Sequence, residues 1–166
     1  VRALGPADAS VVASWIDGPE ALVTFSGNLF TWPFDGRQLL GLRAAEPDRR
    51  LMVATDPDGV PIGHFGLRAQ SEGRSVRLGM VVVAPSARGH GRGAAMVGTA
   101  VGTAFEAPEA EQVELGVYTH NERARRIYER LGFREDVARP RSVEGVGGER
   151  WTSITMILPR DAWRPL

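Results

Sequence analysis

The stretch Ser86-Ala-Arg-Gly-His-Gly-Arg-Gly-Ala-Ala-Met96 sets glycines at 89, 91 and 93, between an apolar run ending in three valines and a run rich in alanine. A strand, a short glycine-rich turn and a helix in that order aim unpaired main-chain N–H groups and the positive end of a helix dipole at one point. Glycine matters there because a Cβ would hold a ligand off the backbone and forbid part of the dihedral range the turn uses. The chain has to fold around an anion site, and the remaining sequence must supply a sheet for the strand and a partner surface for the helix.

The flanking segments do so. Val1 to Leu4 reads as an edge strand, and Pro6 to Ile16 as a helix with Asp8 in its first turn, stopped by Gly18-Pro19. Glu20 to Phe34 mixes Phe25, Phe30, Trp32 and Phe34 with Gly27, Asn28 and Pro33 and shows no sustained period. A loop or short helices over a cleft are expected there, the aromatics either lining an acceptor cleft or forming a satellite core. Asp35 caps a helix running to about Ala45. Leu51–Thr55 and Pro61–Leu67 are strands joined by the turn Asp56-Pro-Asp-Gly59, and Ser75–Val83 is the most strand-like run of all. Ala94 to Glu106 is helical despite Gly98 and Gly102, each costing about 1 kcal/mol relative to alanine, which implies close packing against a sheet.

Gln112–Val117 alternates as a strand, Glu122–Leu131 is a helix stopped by Gly132 with Phe133 packing back, and Phe133–Ala138 with Glu149–Leu158 make a final hairpin. No repeat or linker divides the chain. The expectation is a single domain, 1–166, of the α+β class: a mixed, mostly antiparallel sheet of about seven strands flanked by about four helices.

Composition excludes several classes of function. With no cysteine there can be no disulfide, thiolate metal site or cysteine nucleophile, and three histidines far apart in sequence make no metal set. All twenty basic residues are arginine and are matched by twenty acids, so the net charge of zero offers no bulk attraction to nucleic acid or to a membrane surface. No apolar run approaches the roughly 20 residues of a membrane span, and Val1 opens no secretory leader, which together suit the cytoplasm. A monomer and a homodimer both fit.

Three phosphate-binding motifs compete at the glycine loop. The Walker loop requires a lysine, which this chain lacks. Gly89-x-Gly91-x-x-Ala94 fits the dinucleotide fingerprint of NAD enzymes, with Glu109 about twenty residues on. However, Ala84 to Arg88 separate the strand from the first glycine, and Glu109 precedes the next strand instead of ending it. The third reading takes Arg88-Gly-His-Gly-Arg-Gly93 as R-x-x-G-x-G after Val83-Ala-Pro85. In this the sequence resembles the GNAT N-acetyltransferases. A second segment, Leu115-x-Val117-x-x-x-Asn121-x-x-Ala124-x-x-x-Tyr128-x-x-x-Gly132-Phe133, is similar to that family's other signature. Trp15, Asp58-Gly59 with Pro61-Ile-Gly63, and Trp151 look most like the branch of ribosomal-protein N-terminal alanine acetyltransferases and their small-molecule relatives.

The resemblance implies transfer of an acetyl group from acetyl-CoA to a primary amine, a protein N-terminus or a small molecule, by direct attack in a ternary complex. It assigns the pyrophosphate to main-chain amides of Arg88, Gly89, His90, Gly91, Arg92 and Gly93, with Ala94 opening the helix below. It gives the pantetheine arm to Val81, Val82 and Val83, with a strand bulge at Val83. Asn121, Ala124 and Tyr128 share a helical face toward the coenzyme, Tyr128 as the general acid to its sulfur, and Arg125 and Arg126 either meet its 3′-phosphate or, the preferred reading, lie on a solvated helix face. Asn121 reads equally as a helix cap and Tyr128 as a core aromatic. No carboxylate stands where relatives carry a base: the residue before Val117 is Gly116, and Ser75–Val83 holds no acid. His64 and His120 have suitable ordinary pKa values, and a water chain would serve as well. A non-catalytic acyl-CoA-binding module is the alternative that the missing base leaves open.

Overall fold

The ends of the elements follow from local chemistry. The computed structural model describes residues 1–165, apart from the side chains of residues 140 and 141. Strand β1 (Arg2–Ala3) leads into α1 (Pro6–Ala13), where Asp8 accepts the Gly5 N–H at 2.7 Å and holds Arg2 at 2.8 Å. Proline stands at the start of both α1 and α2 (Pro19–Ser26), where its missing N–H costs no helical hydrogen bond. α2 condenses part of the aperiodic aromatic stretch into a helix because Leu22 and Phe25, three apart, bury on one face. Asp35 caps α3 (Gly36–Ala45), accepting the N–H groups of Arg37 and Gln38 at 3.0 and 3.3 Å.

The strands are β2 (Arg49–Thr55), β3 (Pro61–Gln70), β4 (Ser75–Val83), β5 (Gln112–Tyr118), β6 (Arg134–Glu144) and β7 (Arg150–Pro159). Helices α4 (Arg92–Ala104) and α5 (Glu122–Arg130) follow β4 and β5. At the β2–β3 turn Asp56 accepts the Val60 N–H at 2.8 Å and Gly59 takes φ +83. After α5, Gly132 takes φ +95 and the Phe133 N–H returns to the Tyr128 carbonyl at 3.0 Å. The sheet runs β1-β2-β3-β4-β5-β7-β6 and is antiparallel except between β4 and β5. The class and strand number are as expected; among the described residues the α-helices number five, α2 being the addition.

α4 and α5 cover one face of the sheet through Phe65, Leu78, Val97, Val101, Val113 and Leu115. α1, α2 and α3 cover the other through Leu4, Val12, Leu22, Leu39, Leu51 and Val53. Of the three glycines inside α4, Gly98 is buried, whereas a Cβ on Gly93 would make only an ordinary contact with Ile127 Cδ1 at 3.5 Å and Gly102 has open space where a Cβ would stand.

Two irregularities in β4 shape everything that follows. Its parallel pairing with β5 runs from Ser75 opposite Gln112 to Leu78 opposite Leu115 and stops, so the two strands part beyond that point. Its pairing with β3 slips between His64 and Gly66, and Met80 sits at φ +52. The bulge lies at Met80–Val81, three residues before the expected Val83. An extra residue there reverses the alternation: Leu78 packs under α4 and α5, and Met80 turns to the α1–α3 core. Gly66 makes this possible, since a Cβ on it would come within 2.6 Å of Met80 Cε.

Candidate active site

Where β4 and β5 part, a cleft passes through the sheet as three adjoining cavities of about 440, 400 and 380 Å³. The first and second share Val81–Val83, Asn121 and Ala124; the second and third share Leu78–Met80, Val117 and Tyr118.

The first cavity opens on the α4–α5 face and is floored by the glycine loop. Gly89, His90 and Gly91 take φ +94, +50 and +75, and Gly91 is the N-cap of α4, which begins two residues earlier than expected, at Arg92. Among the described residues, the N–H groups of Gly89, His90, Gly91, Gly93 and Ala94 meet no protein acceptor. Those of Arg88 and Arg92 turn inward to the carbonyls of Pro85 and Gly89, at 3.4 and 3.2 Å. Five free donors at a helix N-terminus suit an anion. Arg88 itself donates through Nε to the Val83 carbonyl at 3.3 Å, tying the loop to the end of β4.

From α5 it is Arg123 and Arg130, seven apart and so on one face, that line this cavity, in place of the expected Arg125 and Arg126. Arg126 instead pairs with Glu122 at 3.0 Å, and Arg125 reaches the Thr119 carbonyl at 3.5 Å. Glu109, the acid the dinucleotide reading needed, packs beside Gly73, next to β4's other end.

The second cavity lies in the gap itself. On its walls the β4 edge from Gly79 to Val83 and the β5 edge from Gly116 to Tyr118 have lost each other as ladder partners, which leaves main-chain groups free to pair with an extended ligand. Asn121, Ala124 and Tyr128 all face it, as their spacing implies. Asn121 also caps α5, accepting the Ala124 N–H at 3.2 Å, as its cap reading expects. Tyr128 is 7% exposed, and burial pushes its hydroxyl up to about 12, which keeps the proton on through the neutral range. Trp15 lines the same cavity, and so does Asp17, in the loop between α1 and α2 and the one carboxylate among the described residues on any of the three walls. The sequence held no periodic signal for Asp17.

Several expectations need correction. Of the four aromatics, Phe25 alone lines the cleft; Phe30 and Phe34 pack behind it, with ring centres 6.5 and 5.9 Å away, and Trp32 is half-exposed. The three phenylalanines belong to the core under α1, α2 and α3. His64 is fully buried at 6.0 Å from the Phe25 ring, lines none of the three cavities, and is held down to about 4 because burial disfavours its charged form. His120 lies exposed against the rings of Tyr118 and Trp151, which also touch each other. Neither histidine is placed to take a proton in the cleft.

The third cavity opens on the opposite face. Its walls carry Arg49, Arg68, Gln70 and Arg77, and beneath Arg77 lies Glu114, 3% exposed and missed in the sequence. Glu114 alternates with Val113 and Leu115, a pattern that reads as a solvent face; long-range pairing with Arg77 and Arg139, at 3.0 and 2.9 Å, is what buries it.

The acetyltransferase (GNAT) family matches residues 19–133, well over half the chain. This chain belongs to the GNAT family. The acetyltransferase is also similar to a solved spermidine N-acetyltransferase from Vibrio cholerae in complex with CoA and spermine, at 21% identity and TM-score 0.78, covering 97% of this chain and 95% of that one. A spermidine N-acetyltransferase chimera from Vibrio cholerae and hSSAT matches at 19% identity and TM-score 0.75, covering 96% and 94%. These likenesses carry the fold. Family membership makes the chain an acetyl-CoA-dependent N-acetyltransferase, with acetyl-CoA as co-substrate and an amine as acceptor.

Proposed function

We propose that residues 1–166 form one acetyltransferase domain that passes the acetyl group to a primary amine by direct attack in a ternary complex. The observation that carries this reading is the through-sheet gap between β4 and β5, with a five-donor cradle at one mouth and Tyr128 on its wall. Acetyl-CoA supplies the activated acyl group as a thioester. The free N–H groups of Gly89, His90, Gly91, Gly93 and Ala94 hold a pyrophosphate, and Arg123 and Arg130 add positive charge beside it. The open β4 edge at Val81–Val83 orients an extended arm and points its end into the gap. Tyr128 keeps its proton to donate to a departing thiolate. Asp17, exposed at the second cavity, gives the ammonium proton a route to water.

With no cysteine in the chain, no acyl-thioester enzyme form is available, which favours a ternary complex over a ping-pong scheme. The likeness carried by Trp15, Pro61-Ile-Gly63 and Trp151 supports the ribosomal-protein N-terminal alanine acetyltransferase branch and its small-molecule relatives. Among the described residues no helix is long and apolar enough to cross a membrane, and the zero net charge argues against a nucleic-acid partner. We place the enzyme in the cytoplasm as a monomer or homodimer.

The test is thiol release from acetyl-CoA across a panel of amines, with CoA binding followed in parallel by calorimetry. Tyr128→Phe is expected to lower kcat by roughly 100-fold with coenzyme affinity unchanged. Unaltered turnover would remove the hydroxyl from the mechanism, and CoA binding without turnover on any amine would leave a non-catalytic binding module.

A further inference from the structure

The mouth of the cleft opposite the glycine loop narrows the choice of acceptor. It is lined by three guanidinium groups, those of Arg49, Arg68 and Arg77, and among the described residues by no carboxylate. The counter-ions do not line that surface. Glu46 meets Arg49 at 2.9 Å and Arg68 at 3.5 Å, and the buried Glu114 meets Arg77 at 3.0 Å and Arg139 at 2.9 Å. Arg139 also pairs with Asp136 at 2.6 Å. Each of Glu46 and Glu114 is shared between two guanidiniums, and a guanidinium carries five N–H donors, so donors remain on the cavity side.

Arg77 occupies the decisive place. Its Nη2 lies over Gly116, so near that a Cβ there would stand 2.8 Å from it. Gly116 is the first residue of β5 beyond the last paired position, Leu115, and so marks the threshold of the gap. A polycation approaching this threshold meets three like charges, whereas an anionic group meets guanidinium donors that Glu46 and Glu114 leave unused. Asp17, the one acid on the adjoining cavity, is suited to the amine end of the same molecule.

We propose that the acceptor is a small primary amine that carries its own carboxylate or phosphonate. Arg77, aided by Arg68 and Arg49, holds the anionic group, and the amine enters the gap between β4 and β5. This rests on the acetyl-transfer reading above.

The experiment compares amines matched in all but charge, β-alanine with β-alaninamide, alongside 2-aminoethylphosphonate and spermidine, by thiol release and by calorimetry on the CoA-bound enzyme. One of the two anionic amines is expected to exceed β-alaninamide and spermidine in kcat/KM by roughly tenfold or more, and which one leads tells carboxylate from phosphonate. Arg77→Met should raise KM for that amine roughly tenfold more than it raises KM for β-alaninamide, so that the ratio of the two shifts. Because Arg77 also neutralises Glu114, Arg68→Met, at a half-exposed position, is the second variant and should shift the same ratio in the same direction. A preference for spermidine or β-alaninamide, or a ratio untouched by both variants, overturns the proposal. Arginine-dependent binding of the anionic amine without thiol release keeps the anion site and overturns the transfer reading instead.

Discussion

The two mouths of the cleft are made of different stuff. On the α4–α5 face the groups proposed to bind are main-chain N–H donors at glycines 89, 91 and 93 and their neighbours, fixed by backbone dihedrals within one short loop. On the other face they are side chains gathered from β2, β3 and β4, with Arg77 tied to β5 through Glu114. A site built from consecutive backbone has to be written as a compact sequence pattern, whereas a site built across strands is written only in the fold. The contrast teaches that a coenzyme mouth can stay fixed while the acceptor mouth changes by single substitutions.

The sharpest way to break this comparison is Gly91→Val. Its φ of +75 and the close approach of a ligand both exclude a branched Cβ, so coenzyme affinity measured by calorimetry should fall on the order of 100-fold or more, with the fold intact by circular dichroism. Retained affinity would mean that the loop's backbone does not set the coenzyme site.

A second prediction concerns the wall between the mouths. His64 pairs opposite Val82 and is buried without a hydrogen-bond partner at either ring nitrogen. Folded, its pKa of about 4 lies below the ordinary 6.5, so the unfolded chain binds its proton more readily. The contribution is whole above pH 6.5 and is lost as pH falls toward 4, by roughly 3 kcal/mol in all. Denaturant titrations of the wild type against His64→Leu should show that slope in the first and lose it in the second. Equal slopes would remove His64 from the acid response.

The smallest effect sharpens the comparison. His90→Ala, which keeps the N–H and removes only an exposed side chain, should change coenzyme affinity by less than about twofold. A large loss would show that the imidazole, and not the main chain, binds.

Legibility in the sequence follows the same division. Asp35, the Asp56–Gly59 turn, Gly132 and the glycine loop act on residues within a few positions, so the elements they end or join could be read directly. α2 was hidden because proline, glycine and aromatics obscure its period, and only burial of Leu22 and Phe25 reveals it. The bulge at Met80 was misplaced because a slip between strands leaves no mark on either one alone. Arg123 and Arg130, Asp17 and Glu114 escaped notice for a related reason: each owes its place to a wall or an ion pair formed with another element. The aromatic stretch misled because large rings serve a core as readily as a cleft.

A passage that pierces a sheet has a consequence for traffic. On the assignment proposed above, coenzyme and amine arrive from opposite sides, so neither bars the other's exit, and initial-rate plots should intersect with no compulsory sequence of arrival. The same layout favours a single inhibitor threaded through the opening, an acidic headgroup joined by a short tether to CoA, which would grip both sides of the protein at once.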